Sequence, residues 1–207
     1  MFEMGRFFAL FRDRIFERFI KPVIISVSPI DEIALGVGIG VFIGLTPTVG
    51  IQMWIVFLIW LFFKYILGIR FDLIVGTALV WISNPLTMFF LYYMFLATGL
   101  FVHSILGFVT IPLDYYTFQV RFYAVLNNPG NSFLGKIMEG SKFLFFDLGL
   151  PMFVGSLFYA IPCSIISHVL TQRLLLRYRK KKAAKMGISY ETWKLKYEKT
   201  KLKTKIK

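Results

Sequence analysis

The sequence lacks the side-chain groupings on which several classes of protein depend. It has a single cysteine, Cys163, and therefore forms no intramolecular disulfide. Its two histidines, His103 and His168, stand alone without the spacing of metal ligands. The sequence shows no Ser/His/Asp or Cys/His grouping, no HExxH motif, no phosphate-binding loop and no carboxylate pair inside an apolar stretch. We therefore expect no enzyme activity, no cofactor and no bound metal.

Charge is absent from two long stretches of the chain. Residues 33–63 carry no Asp, Glu, Lys or Arg across 31 positions, and residues 73–102 carry none across 30. Since about 20 apolar residues span a bilayer core of roughly 30 Å, each stretch is long enough to enter a membrane. A hydrophobic content of 57% with 24 Phe excludes an ordinary soluble domain. We predict an all-α fold: a polytopic α-helical membrane protein with broken or re-entrant helices.

Each uncharged stretch is interrupted by a polar segment that contains proline. The first break is residues 46–50 and the second break is residues 83–87. Proline removes a backbone N–H and clashes with the preceding turn, so each break frees backbone groups that lipid cannot satisfy. In each, a residue that can cap a helix precedes proline (Thr46 before Pro47, Asn84 before Pro85), which predicts that both breaks open the following helix in the same way.

A helix that begins inside the membrane directs N–H groups and a partial positive charge at its surroundings, which suits a phosphate or carboxylate. We therefore predict a substrate-binding site with two walls. The candidate residues are Thr46, Pro47, Thr48, Gly50 and Gln52 on one wall, and Ser83, Asn84, Pro85 and Thr87 on the other. The alternative is that each break is only a proline kink whose hydroxyls satisfy the freed carbonyls.

Periodicity and capping signals divide the chain into three parts. Apolar residues spaced three and four apart among basic ones predict an amphipathic interfacial helix within 1–27, a segment unlike a cleavable signal peptide. A helical membrane domain over 28–176 and a basic tail over 177–207 follow. Within the domain, a helix capped by Ser28 is expected to run to about residue 45, followed by helices near 50–67, 73–82, 85–106 and 148–176. A basic helix is expected to continue to Lys185, with Gly187 as its C-terminal signal and Ser189 as the cap of a final helix. In the helix capped by Ser28, Gly36, Gly40 and Gly44 form a small-residue stripe that allows close helix contact.

The net charge of +13 is concentrated at the C-terminus. Residues 173–207 hold 14 Lys and Arg against two Glu. Positive residues near membrane spans stay cytoplasmic, so we predict a cytoplasmic N-terminus and tail, with 107–142 on the outside. The 177–207 tail is expected to be a basic cytoplasmic helix that binds membrane lipids, especially anionic ones, helped by an aromatic stripe at Tyr190, Trp193 and Tyr197. Contact with RNA or the ribosome is the alternative for the tail, although nucleic acid is not the expected partner.

Several of these residues resemble a known bacterial family. A Gly-rich run leads into Phe-Ile-Gly-x-x-Pro at 42–47, and Ser-Asn-Pro-x-Thr follows at 83–87. With Ser28-Pro29, Gly50-Ile51-Gln52 and Tyr92-Tyr93, these motifs resemble the membrane family called domain of unknown function 2062, over about residues 15–175. The resemblance implies a small multi-pass protein of the bacterial inner membrane. Some relatives are joined to glycosyltransferase-like domains, which points toward polyprenyl-phosphate or envelope-glycan chemistry.

Three functions compete at this stage. The first is an integral membrane protein that binds or translocates an anionic lipid-linked substrate, of the polyprenyl-phosphate type. The second is a membrane scaffold or assembly factor that recruits a cytoplasmic partner through its basic tail, and an intramembrane enzyme is third. A transporter should bring the two breaks together at a polar cavity, whereas a scaffold should bury them in apolar contact. Self-association is left open by the sequence.

Overall fold

The computed structural model describes residues 16–107, 119–120, 123–124, 135 and 148–196. Within these ranges every regular element is helical, which confirms the all-α prediction for the described part of the chain. The elements, in order, are a π-helical turn at Phe16–Ile20, α1 (Lys21–Ile25), α2 (Ile30–Gly44), α3 (Gln52–Tyr65), α4 (Leu73–Leu79) with a 3-10 turn at Val80–Ile82, α5 (Pro85–Ile105) and α6 (Leu150–Lys185), followed by helical residues 190–196.

The helix boundaries follow local signals in the sequence. The first helical hydrogen bond of α2 joins the Ile33 N–H to the Pro29 carbonyl at 3.1 Å, which places Pro29 at the cap position, one residue after the predicted Ser28. After α6, Gly187 adopts a left-handed φ of 69° that non-glycine residues rarely take, and Ile188 N–H bonds back to the Ala183 carbonyl. α2 therefore begins one residue later than the sequence predicted, and the end of α6 at Lys185, just before Gly187, agrees with the prediction. Predictions for residues 1–15, for most of 107–142 and for Tyr197 onward fall outside the described residues.

The chain forms two compact units. The first unit comprises Met1–Ile43, Gly50–Trp81 and Cys163–Lys207. The second comprises Gly44–Val49 and Ile82–Pro162. The chain therefore passes between the units at the end of α2, within the first break before Gly50, just before the second break after Trp81, and at Pro162, a proline inside α6.

In the first unit, α2 and α4 approach backbone to backbone. A Cβ on Gly36 would lie 2.6 Å from the Asp72 carbonyl oxygen, and a Cβ on Gly40 would collide with the carbonyl of Gly76. This confirms the predicted close contact for two of the three glycines in the stripe, although its partner helix was not predicted. Beside this crossing lies a buried cluster formed by Ile43, Val56, Phe71 and Val80.

In the second unit, α5 packs equally closely against the first part of α6. A Cβ on Gly155 would overlap the Phe95 carbonyl oxygen, and one on Gly99 would overlap the carbonyl of Pro151. The Thr98 and Tyr159 hydroxyls hydrogen-bond across the same pair of segments at 2.8 Å. Small residues thus let two helices meet at their backbones, as is common in membrane helices.

Among the residues that the structure describes, two helices are long and apolar enough to cross a membrane, judged by length and composition: Thr87–Ile105 and Leu150–Lys185. The second has 36 residues and a length of ~54 Å at 1.5 Å per residue, well beyond a bilayer core of ~30 Å. Large apolar side chains of α5 are exposed, including Phe89 at 76% and Phe90 at 69%. The helices Gln52–Tyr65 and Leu73–Ile82 are apolar but shorter.

Candidate functional site

The first break is a turn that joins α2 to α3. Thr46 is buried, and its hydroxyl lies 2.8 Å from the Thr48 hydroxyl, while the Thr48 N–H donates to the Thr46 carbonyl at 2.8 Å. Gly50 has a φ of +91°, a left-handed conformation that reverses the chain before α3 begins. Buried Gln52 directs its amide at the Ile43 carbonyl, 3.4 Å away. The two threonines of this break therefore bond to each other, and Gln52, at the start of α3, bonds to the end of α2.

The prediction that Thr46 caps the following helix, with Pro47 at its first position, is wrong. The cap position of α3 is Ile51, which provides no side-chain hydrogen bond, and Gln52 is the first helical residue. A capping box needs a hydrogen-bonding side chain three residues after the cap, and here that position is Val49. The Thr46 hydroxyl bonds to Thr48 instead.

The second break does open a helix as predicted. α5 begins at Pro85, and the Asn84 side-chain oxygen accepts a hydrogen bond from the Thr87 N–H at 3.2 Å. In return, the Thr87 hydroxyl oxygen accepts from the Asn84 N–H at 3.1 Å and donates to the Ile82 carbonyl at 2.7 Å. This reciprocal pair satisfies backbone groups that the break would otherwise leave unpaired. Ser83, next to it, is buried.

The predicted site residues are divided between the two units. Thr46, Pro47 and Thr48 belong to the second unit together with the residues of the second break, whereas Gly50 and Gln52 belong to the first unit. Within the second unit, the buried hydroxyl of Tyr92 lies close to the backbone of Val49, outside hydrogen-bond geometry. The helix that follows the second break therefore runs beside the first break.

The described residues of the first unit line three clefts of 620–640 Å³, and the nine predicted site residues line none of these three. One, of about 620 Å³, is an apolar groove along α2 and α3. Another borders Asp72 and Lys21. The third, of about 630 Å³, contains three cationic side chains, and we call it the cationic cleft; it is lined by residues 27–31, Gln172, Arg173, Leu176, Arg179, Tyr190, Trp193 and Lys194.

The cationic cleft is held together by hydrogen bonds between segments distant in sequence. Arg179 is only 8% exposed, and its Nη2 donates to the carbonyls of Ser26 at 3.1 Å and Ser28 at 2.8 Å. The centre of its guanidinium lies 5.6 Å from the Trp193 ring. Gln172 donates to the Asp31 carboxylate at 3.1 Å. These contacts join the segment before α2, the basic end of α6 and the C-terminal helical residues.

Sequence reasoning missed this cleft. Arg179 stands in a run of basic residues, and nothing local distinguishes it from Lys180 or Lys181. The spacing of Tyr190 and Trp193 is the available signal, and from sequence alone it predicts an aromatic stripe that helps the tail bind lipid. In the structure Trp193 is 4% exposed and faces protein. Among the residues that the structure describes, no three His, Cys, Asp or Glu side chains gather as metal ligands would.

Comparison with known proteins identifies the family. Residues 14–184 match the family described as "Uncharacterized protein conserved in bacteria (DUF2062)", and the chain belongs to this family. The resemblance drawn from the two motifs is thereby confirmed. The chain matched no curated protein and no solved structure.

Proposed function

For this member of the family, we propose an integral protein of the bacterial inner membrane that binds or translocates an anionic lipid-linked substrate of the polyprenyl-phosphate type. The exposed apolar surface supports the membrane part of this proposal. Trp54 on α3 is 68% exposed, and Phe101 on α5 is 66% exposed. Many other large apolar side chains are also exposed. Such a surface is unfavourable in water and suits contact with lipid. The charge distribution favours several crossings with both termini cytoplasmic.

The arrangement of the two breaks carries the substrate-binding part of the proposal. α5 begins at Pro85 inside an uncharged stretch, and its Tyr92 lies beside Val49 of the first break. A helix that starts in apolar surroundings presents a partial positive charge, which favours phosphate or carboxylate. Asn84 and Thr87 fix that start in place, and Thr46 and Thr48 add hydroxyls within the same compact unit.

Two substitutions at Asn84 test this site. Asn84→Asp keeps a capping oxygen but places a negative charge where the anion would bind, and Asn84→Ser keeps a neutral cap of shorter reach. Since a change of cap alters stability by only about 0.5–2 kcal/mol, both variants should fold and insert. With a short-chain polyprenyl phosphate as the probe, Asn84→Asp should abolish binding and Asn84→Ser should weaken it. If both variants bind the probe with wild-type affinity, the second break is only a proline kink and not a binding site.

The scaffold is the second candidate, and the bonding within the breaks favours it. The Thr46–Thr48 and Asn84–Thr87 pairs satisfy polar groups internally, as a proline kink requires. A scaffold would act through its basic C-terminus instead. Under that hypothesis both Asn84 variants should retain cellular function, and a chain that ends after Lys185 should lose it.

A further inference from the structure

We infer that the cationic cleft is a binding site for the phosphate group of a phosphate ester, supplied by a lipid headgroup at the membrane surface. No residue of either break lines this cleft. The inference therefore goes beyond the proposed function and does not depend on it.

The charge of the cleft favours an anion. Among its described lining residues, Arg173, Arg179 and Lys194 stand against the one carboxylate of Asp31, which already accepts a hydrogen bond from Gln172. Within the described part of the chain, neither Arg173 nor Lys194 forms an ion pair, and both side chains are exposed. Guanidinium and ammonium groups are the side chains that bind phosphate most strongly, because each bond is assisted by charge.

The cleft is also built before any ligand arrives. Arg179 is fixed by its two carbonyl contacts and by the Trp193 ring, so its cation does not have to be ordered on binding. Tyr190 stacks on Trp193, with ring planes 17° apart, and forms an aromatic wall. A volume of about 630 Å³ falls within the range of roughly 300–1,000 Å³ typical of small-molecule sites. The cleft therefore has room for a phosphate and the group esterified to it.

The position of the cleft along α6 indicates the source of the phosphate. Residues 163–172 of α6 carry no Asp, Glu, Lys or Arg, and Arg173 and Arg177 follow. Where an apolar helix becomes basic, its side chains lie at the level of lipid headgroups. The three cations of the cleft are contributed by this transition and by the helical residues that follow it. A lipid phosphate would reach them from the membrane side.

Variants that remove the same number of charges distinguish binding at the cationic cleft from diffuse electrostatic attraction to the basic end of the chain. Arg173→Gln with Lys194→Gln removes two cations from the cleft, and Lys180→Gln with Lys181→Gln removes two exposed cations that do not line it. The full chain in neutral detergent would be titrated with dihexanoyl phosphatidate, with glycerol 3-phosphate and with zwitterionic dihexanoyl phosphatidylcholine. We expect the cleft pair to weaken phosphatidate binding by roughly tenfold to a hundredfold and the control pair by less than about fivefold.

Each outcome of these titrations either supports the proposed site or overturns it. Binding of phosphatidate alone supports a lipid phosphate, whereas equal binding of glycerol 3-phosphate assigns the same cleft to phosphate esters in solution. Failure of both phosphate probes to bind, or equal weakening by the two pairs of variants, would overturn the site and leave only diffuse attraction to the basic end. Thermal unfolding of each variant checks that the fold is retained. The Asn84 variants should bind phosphatidate at the cleft as the wild type does, whatever the outcome for polyprenyl phosphate.

Discussion

The carboxylate of Asp72 bonds to the hydroxyl of Ser26, 46 positions earlier in the chain. Its other oxygen accepts the Val75 N–H at 3.1 Å and so caps α4, and its own N–H donates to the Glu32 carbonyl at 2.9 Å. A single residue thus ties the segment before α2, the first turn of α2 and the start of α4 together. The backbone of Gly36 makes its close approach to the carbonyl oxygen of this same residue, Asp72.

Asp72→Ala should lower the free energy of unfolding by about 1–3 kcal/mol, because it removes a helix cap and a second hydrogen bond together. Asp72→Asn should cost less, since its side-chain oxygen can still cap α4. Chemical unfolding in detergent measures both. Asp31→Ala, at an exposed carboxylate with one bond from Gln172, is the control. A loss no greater than that of the control would show that Asp72 does not tie these segments. Adding Ser26→Ala should give less than additive losses.

Gly40→Ala should destabilise the first unit by a few kcal/mol, because the added methyl would meet the Gly76 carbonyl and the Leu79 Cβ. Gly38→Ala is a matched control on the same helix, where the nearest atom would lie 3.4 Å away in ordinary contact. Alanine has a better helix propensity than glycine by up to ~1 kcal/mol, so the control should be neutral or stabilising. Thermal unfolding compares the pair, and equal melting temperatures would refute the close crossing of α2 and α4.

Tyr159→Phe should weaken the contact between α5 and α6, since it removes the hydrogen bond to Thr98. Hydrogen bonds between membrane helices contribute about 0.6 kcal/mol on average, with measured values up to about 1.7. Tyr93→Phe removes an equivalent hydroxyl from a side chain that is 62% exposed, and it should change stability less. Urea or SDS unfolding of the two variants tests the difference. A larger loss for Tyr93→Phe would contradict the contact.

The predicted topology can be tested with single cysteines on a Cys163→Ala background. Ile69, Leu106 and Lys181 are exposed and offer probes at three points along the chain. If positive residues mark the cytoplasmic side, an impermeant thiol reagent should label Leu106→Cys in intact cells and reach Ile69→Cys and Lys181→Cys only after lysis. Labelling of position 181 in intact cells would reverse the proposed orientation.

The sequence by itself determined the features that rest on neighbouring residues. The starts of α2 and α5, the end of α6 at Gly187 and the cap at Ser189 all depend on hydrogen bonds between residues within five positions, so the local pattern is sufficient. The two breaks show that one residue of the local pattern decides whether a helix is capped. Asn84 has Thr87 three residues later to complete the capping box, whereas Thr46 has Val49, which has no side-chain hydrogen-bonding group.

Only the tertiary structure decided which segments meet. The glycine stripe of α2 indicated a close helix contact but could not name α4 as the partner, because any helix with a small-residue face would satisfy it. The bond from Arg179 to Ser28 joins residues 151 positions apart, and no local pattern distinguishes Arg179 from its basic neighbours. The cationic cleft exists because packing brings three distant segments to one place, and such proximity depends on the whole chain at once.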